Sequence, residues 1–431
     1  MKLPLYPLPQ KSKKKDVIYN MLGSSVNAFV SVLLLIIVSH LLGGEDAGLL
    51  TLAYSTAQMM YTIGTFEMRN IQVTDAKREL PFGAVLAYRI LSVGMMLAVS
   101  SGFILLRGYS GKTALVIILF CIYMATLALS DVFQGNIHLN GYLFIAGRSL
   151  ALTVSLCAVA FSITLFFTKN LALSVIPMIA MSLLWMLLHD IPYSRNFDKA
   201  KPKFDLRLIR GIFISALPLF LSAFLNQYIF NAPKYAIDSL LTATDQAHYG
   251  YLVMPAFVIN LLSIFAFRPQ LVSLSENWTK REFSKFKKTA LRLYLWIAAV
   301  TVAALGAAYL LGIPVLELLY GADLTGRRTM LLLLLLAGAF SACGTLSMTL
   351  FTTMRKQKYC LVAYGVTALF ALFIPNLLVG SYSLQGAAYA YLAEMLLLFI
   401  CMLTLLVTVF SRSKKQTNIT ETNDKTEEKN A

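Results

Sequence analysis

Glu394 is the residue whose type and position most demand an explanation. It stands about ten residues into an apolar run, Y-L-A-E-M-L-L-L, near the middle of what reads as a membrane-crossing helix. An ionisable group at that depth costs several kcal/mol and normally faces a cavity or a partner. It could take up a proton or Na⁺, or serve as a neutral acid in a helix–helix hydrogen bond. A second polar run lies at P-L-F-L-S-A-F-L-N-Q-Y-I-F-N-A-P-K-Y-A-I-D. Asn226 sits midway along it beside Gln227. Lys234 lies eight residues on, nearly on the face of Asn226, with Asn231 and Tyr235 close to it. Pro218 and Pro233 can bend the helix and free backbone groups. Lys234 could line a cavity or snorkel to the outer interface. A third run, F-E-M-R-N-I-Q-V-T-D, places Glu67 and Asn70 on one face and Arg69 and Gln72 on the next. The planar fork of Arg69 could hold a phosphate; an ordinary solvated helix end is the alternative. Arg89 lies inside another apolar run, where snorkelling or ligand binding would each account for it. Asp131 and Arg148, at neighbouring inner interfaces, are expected to pair with each other. Asn260 is expected to face protein. His40, His138, His189 and His248 fall near span ends without metal-site spacing.

The elements that position these residues are apolar and long. The chain has 431 residues, 58% of them hydrophobic and 13% charged. A soluble domain carries about 25% charged residues. With roughly 20 apolar residues needed per crossing, spans are predicted at about 18–42, 48–70, 82–106, 113–134, 143–167, 171–190, 211–234, 249–267, 290–312, 329–353, 359–379 and 385–410. The runs are continuous, as transmembrane helices require, and not alternating as in a barrel. The predicted organisation is a basic tail at 1–16, a six-helix bundle at 17–194, a basic linker at 195–210, a second six-helix bundle at 211–410, and a disordered tail at 411–431. The fold class is thus all-α and polytopic, with about 12 transmembrane helices in two six-helix bundles. Six spans per half make the repeat parallel, a pseudo-two-fold along the membrane normal. After the first span comes S-H-L-L-G-G-E-D-A-G and after the seventh D-S-L-L-T-A-T-D-Q-A-H-Y-G, which can be laid on one another.

The net charge of +16 suggests nucleic acid at first sight. Its distribution argues otherwise, because most Lys and Arg fall in alternate loops and both tails. That is the positive-inside pattern, and it puts both termini in the cytoplasm. Lys11–Lys15 and Lys280–Lys288 suit anionic headgroups, and no nucleic-acid module is present. The segments 195–210 and 268–292 read as amphipathic linkers on the membrane surface. The first apolar run is too long for a cleaved signal and is read as a retained helix. Two Asn-x-Thr sequences, at Asn277 and Asn418, fall on the cytoplasmic side. The cysteines, Cys121, Cys157, Cys343, Cys360 and Cys401, are scattered through the spans and support neither disulfides nor a metal. Zinc-protease, P-loop and G-x-S-x-G signatures are lacking. The outer loops are too short for the acidic motif of a membrane glycosyltransferase. An enzyme is therefore not expected, nor a cofactor.

Four segments carry a resemblance: N-x-x-G-S-S-x-N at Asn20–Asn27, S-H-L-L-G at Ser39–Gly43, F-E-M-R-N-I-Q-V-T-D from Phe66, and N-A-P-K-Y-A-I-D from Asn231. With the six-plus-six layout they resemble the polysaccharide repeat-unit flippases (Wzx-type) of the multidrug/oligosaccharidyl-lipid/polysaccharide exporter superfamily, over about residues 16–410. The span pattern alone is shared with drug/cation antiporters and peptidoglycan-lipid flippases. The resemblance implies a V-shaped transporter of the bacterial cell membrane that alternates between inward- and outward-open forms. Its substrate would be an undecaprenyl-diphosphate-linked oligosaccharide for capsule or another surface polysaccharide, with polymerase and assembly proteins as potential partners. Lys234, Arg69 and Arg89 would meet the diphosphate. Asn226, Gln227, Asn231, Tyr235 and Asn70 would meet the sugars. Glu394, Glu67 and Asp131 are the acids that could couple transport to a proton or Na⁺ gradient. A teichoic-acid precursor flippase, a cation-coupled small-molecule antiporter and a membrane glycan polymerase are the competing readings.

Overall fold

The computed structural model describes the backbone of residues 6–75, 78–199, 201–267 and 270–430, with side chains to residue 412 apart from residues 74, 265 and 272. Every regular element described is helical. In chain order they are α1 Lys13–Leu42, α2 Gly44–Thr65, α3 Met68–Thr74, α4 Phe82–Leu106, α5 Gly111–Leu139, α6 Leu143–Thr168, α7 Leu171–Trp185, α8 Ile191–Ser194, α9 Leu206–Leu240, α10 Ala243–Phe267, α11 Leu271–Thr279, α12 Phe283–Ala307, α13 Ile313–Tyr320, α14 Arg328–Thr353, α15 Lys358–Ala371 and α16 Ile374–Asn430. A π-turn, Met186–Asp190, joins α7 to α8, and a second, Ala308–Gly312, joins α12 to α13.

Among the described residues, ten helical segments are long and apolar enough to cross a membrane. The chain is a multi-pass membrane protein. The remaining two predicted spans differ for physical reasons. α2 has 22 residues but is polar, carrying Tyr54, Ser55, Thr56 and Gln58. Protein surrounds it instead of lipid, since α1, α4, α5 and α9 all pack on it. α15 has only 14 residues. Its span continues into the first residues of α16 and ends at Ser383, whose left-handed φ of 53° breaks the helix.

By packing, the chain forms two compact units. One comprises Met1–Tyr251 with Leu318–Ala322, and the other Leu252–Glu317 with Asp323–Ala431. The first unit therefore holds α1–α9 and the start of α10. Within it α1 crosses α6 where two glycines meet. A Cβ on Gly23 would lie 2.5 Å from the carbonyl oxygen of Gly147, and one on Gly147 would lie 2.6 Å from that of Tyr19. Small residues let helix backbones approach this closely in a membrane. Caps set the helix starts: the Asp205 carboxylate accepts from the N–H groups of Arg207 and Leu208, and Asn170 accepts from Leu173, both satisfying orphan donors. In the second unit α14 packs along α16 and α12, and Trp278, Phe286 and Phe410 cluster at one end.

Of the linker predicted at 195–210, the described residues before α9 are non-helical and residues 206–210 open α9. Pro202 and the cap at Asp205 keep residues 201–205 non-helical, and they strap the start of α4, with Lys203 N–H donating to Gly83 O at 2.8 Å. In the second basic segment a short helix, α11, does form; Arg268 and Pro269 lie outside the described residues.

Candidate functional site

The polar residues of the first unit collect at two levels of α2. The upper one is built on Lys234. α9 is one helix from Leu206 to Leu240 despite Pro218 and Pro233, which carries Lys234 inside the fold and not to a helix end. Its side chain is 4% exposed. The ammonium donates to Ser55 Oγ at 2.7 Å and to Asn231 Oδ1 at 3.0 Å, and it lies 4.3 Å from the centre of the Phe230 ring. Asn231 in turn donates to Ser55 O. Every oxygen in that set is neutral. Lys234 is thus a buried amine in the interior, not a snorkelling one. Tyr235 is buried beside it with its hydroxyl on Met59 Sδ. One turn further, Asp238 accepts from Arg107 and Tyr109, and Arg107 also donates to Tyr235 O. Asn226 is exposed midway along α9 and Gln227 is half-buried. A polar amide at the centre of an apolar span fits a watered cavity better than lipid.

The lower level lies where α2 stops. Phe66 and Glu67 both adopt left-handed backbone, with φ of 46° and 52°, so α3 leaves as a separate short helix. Phe66 stacks on Phe220 at 4.0 Å and touches Tyr88 and Phe213, which pins the break. The sequence reading ran this span on to residue 70; the break instead frees the carbonyl of Gly64. Arg89, fully buried, uses it: Nη1 donates to Gly64 O at 2.9 Å and Nη2 to Asp131 Oδ2 at 2.9 Å. Arg69, on α3, donates to the other oxygen of Asp131 at 2.6 Å. The expected pairing of Asp131 with Arg148 is therefore corrected. Arg148 faces His189 at 3.4 Å. Glu67 accepts from Nδ2 of Asn70, the residue expected on its own face, at 2.6 Å.

Next to this bridge is a network that sequence reasoning missed. The π-turn at Met186–Asp190 aims Asp190 into the bundle, where Ser130, Ser149, Gln134 and His189 surround its carboxylate. The signal available was the acid at the very end of a predicted span. Between network and bridge is a cavity of about 110 Å³ lined by Gln58, Tyr61, Arg69, Ser130, Asp131 and Gln134, among others. A larger groove of about 440 Å³ runs between α4 and α9, apolar along Tyr88, Leu91, Met95, Ile209 and Phe213, with Arg210 as its charged member. Ser92 lines this groove and shares the Gly64 carbonyl with Arg89.

Lys234 anchors at Ser55 and Arg89 at Gly64, nine positions apart on one helix, so the two levels are separated by about 14 Å along α2. Lys234 and the arginines do not form one pocket. Glu394 belongs to the second unit. It is fully buried on α16, and neither carboxylate oxygen has a hydrogen-bond partner among the described residues.

Solved structures resemble this geometry's scaffold. A multidrug-resistance MATE family transporter of the MOP superfamily, in an inward-facing conformation, matches 92% of this chain and 99% of its own, with a TM-score of 0.65 and 15% identity. The fold is that of the MOP-superfamily transporters. The lipid II flippase MurJ, in an inward closed conformation, matches 91% of this chain and 86% of its own at a TM-score of 0.67 and 15% identity. A MOP-superfamily transporter from Pyrococcus furiosus, reported with a binding pocket of reversed polarity, matches 94% and 97% at 0.55 and 15% identity. No family model and no curated protein matches the sequence.

Proposed function

We propose that the protein is a flippase that moves undecaprenyl-diphosphate-linked oligosaccharide units from the cytoplasmic to the outer leaflet by alternating access, supplying a surface polysaccharide such as capsule or, with the same carrier lipid, a teichoic acid. The observation that carries this reading is Lys234, a buried amine whose hydrogen-bond partners are neutral oxygens. An unpaired buried cation is costly and invites an anion. The diphosphate supplies one. Arg69 and Arg89 offer forked donors at the cytoplasmic end of α2, where the substrate starts. The amides of Asn226, Gln227 and Asn231 suit sugar hydroxyls. The α4–α9 groove has the lining a prenyl chain needs, and it adjoins Arg89 through Ser92. The lipid II flippase fold is a precedent for a lipid-linked cargo on this scaffold.

A second reading, a cation-coupled antiporter of small molecules or drugs, is favoured by one observation, the unpartnered carboxylate of Glu394. It requires a positively charged cargo to pass a lysine and two arginines. Reconstitution separates the readings. Vesicles holding the protein and a fluorescent lipid-linked oligosaccharide should move it between leaflets. Ethidium efflux driven by a cation gradient, without lipid movement, would overturn the flippase.

A further inference from the structure

Asp131 is a small acid placed between two arginines that the flippase reading assigns to substrate, and the two are not alike. Arg89 is fully buried and tied to the carbonyl of Gly64 as well as to Asp131. Its position is fixed. Arg69 projects from the seven-residue α3, beyond the break at Phe66 and Glu67, and its side chain is 30% exposed. It is the member that can change partners. One carboxylate oxygen goes to each guanidinium, at 2.6 and 2.9 Å. That is the donor geometry two non-bridging phosphate oxygens would satisfy. Beside Asp131 and Arg69 the cavity of about 110 Å³ has room for several waters' volume, lined by the polar groups of Gln58, Tyr61 and Gln134.

We propose that Asp131 is a resident stand-in for the substrate's phosphate: it neutralises the arginine pair in the empty carrier and yields Arg69 to the arriving diphosphate while keeping Arg89. The proposal rests on the flippase reading and adds to it a residue that sets affinity. A buried arginine left without a counter-ion is costly, so an empty site needs the carboxylate. A substrate that found both arginines free would bind too tightly to leave. The tethered acid competes at every moment and speeds release.

The experiment is binding of farnesyl diphosphate to the full-length protein in lipid nanodiscs. Asp131→Asn should bind it at least tenfold more tightly than the wild type, and Arg69→Gln at least tenfold more weakly. In the Arg69→Gln background, Asp131→Asn should bring little gain, because the competition is for Arg69. Infrared difference spectra of the wild type should show a carboxylate shift on adding farnesyl diphosphate that Arg69→Gln lacks; this readout stands even if Asp131→Asn fails to fold. A wild type that binds, with Asp131→Asn no tighter or with no carboxylate shift, overturns the stand-in and leaves the flippase reading intact. A wild type that does not bind farnesyl diphosphate overturns both.

Discussion

Lys234 and Glu394 are opposite cases of one problem, a titratable side chain inside the membrane. Lys234 donates to two neutral oxygens, of Ser55 and Asn231, so its loss leaves neutral groups that can re-pair. Lys234→Met keeps the volume and removes the cation. Translocation of a lipid-linked oligosaccharide should fall at least tenfold, while the melting temperature holds or rises, as buried charge replaced by an apolar group often allows. Full transport by this variant would remove Lys234 from the anion path. Glu394 has no such partners, and a bare carboxylate in an apolar setting is costly without a proton or a cation. If it couples transport to a gradient, Glu394→Gln should transport at the same rate with and without that gradient, where the wild type slows on its collapse. An unchanged gradient dependence would confine Glu394 to structure. Both residues were legible in the sequence, because an ionisable residue in an apolar run is conspicuous. Their partners were not: Ser55 is 179 positions from Lys234, and no local spacing announces such a contact.

At the scale of elements, one firm constraint is the α1–α6 crossing at Gly23 and Gly147. The atoms a new side chain would meet are backbone, which cannot swing aside. Gly147→Val should therefore lower stability by about 1–3 kcal/mol or more, as overpacking does. It should be read as a lower melting temperature and a smaller folded yield, with Gly147→Ala intermediate; a wild-type melting curve for the valine variant would show that the helices part without cost. Span existence was readable from apolar length. The breaks were not. Phe66 and Glu67 adopt left-handed backbone although neither residue favours it, because stacking of Phe66 on Phe220 and its tilted contact with Phe213, both from α9, over-determine the turn. The π-turn before Asp190 is likewise invisible to a helical period of 3.6.

For the whole molecule, the flippase reading combined with two polar levels about 14 Å apart on α2 predicts that a head group is handed on and not held at one point. Ser55, at the upper level, is 8% exposed, sealed by Lys234. A Ser55→Cys variant should react slowly with a water-soluble maleimide at rest and at least several-fold faster during turnover with substrate. Equal rates in both conditions would argue against an opening at this level. The fold class could be read from composition and from the length of the apolar runs. The grouping of α9 with the first six spans could not, since it depends on which surfaces α2 and α4 present after folding.

The groove between α4 and α9 has a practical consequence for handling the protein. An alkyl chain of a detergent has the same chemistry as a prenyl chain, and solubilisation bathes Leu91, Met95 and Phe213 in such chains. Detergents would then act as competing ligands, with longer tails filling more of the roughly 440 Å³ available. Apparent affinity for a prenyl diphosphate should decline from nanodiscs to short-tailed and then long-tailed detergents, while affinity for inorganic pyrophosphate stays level.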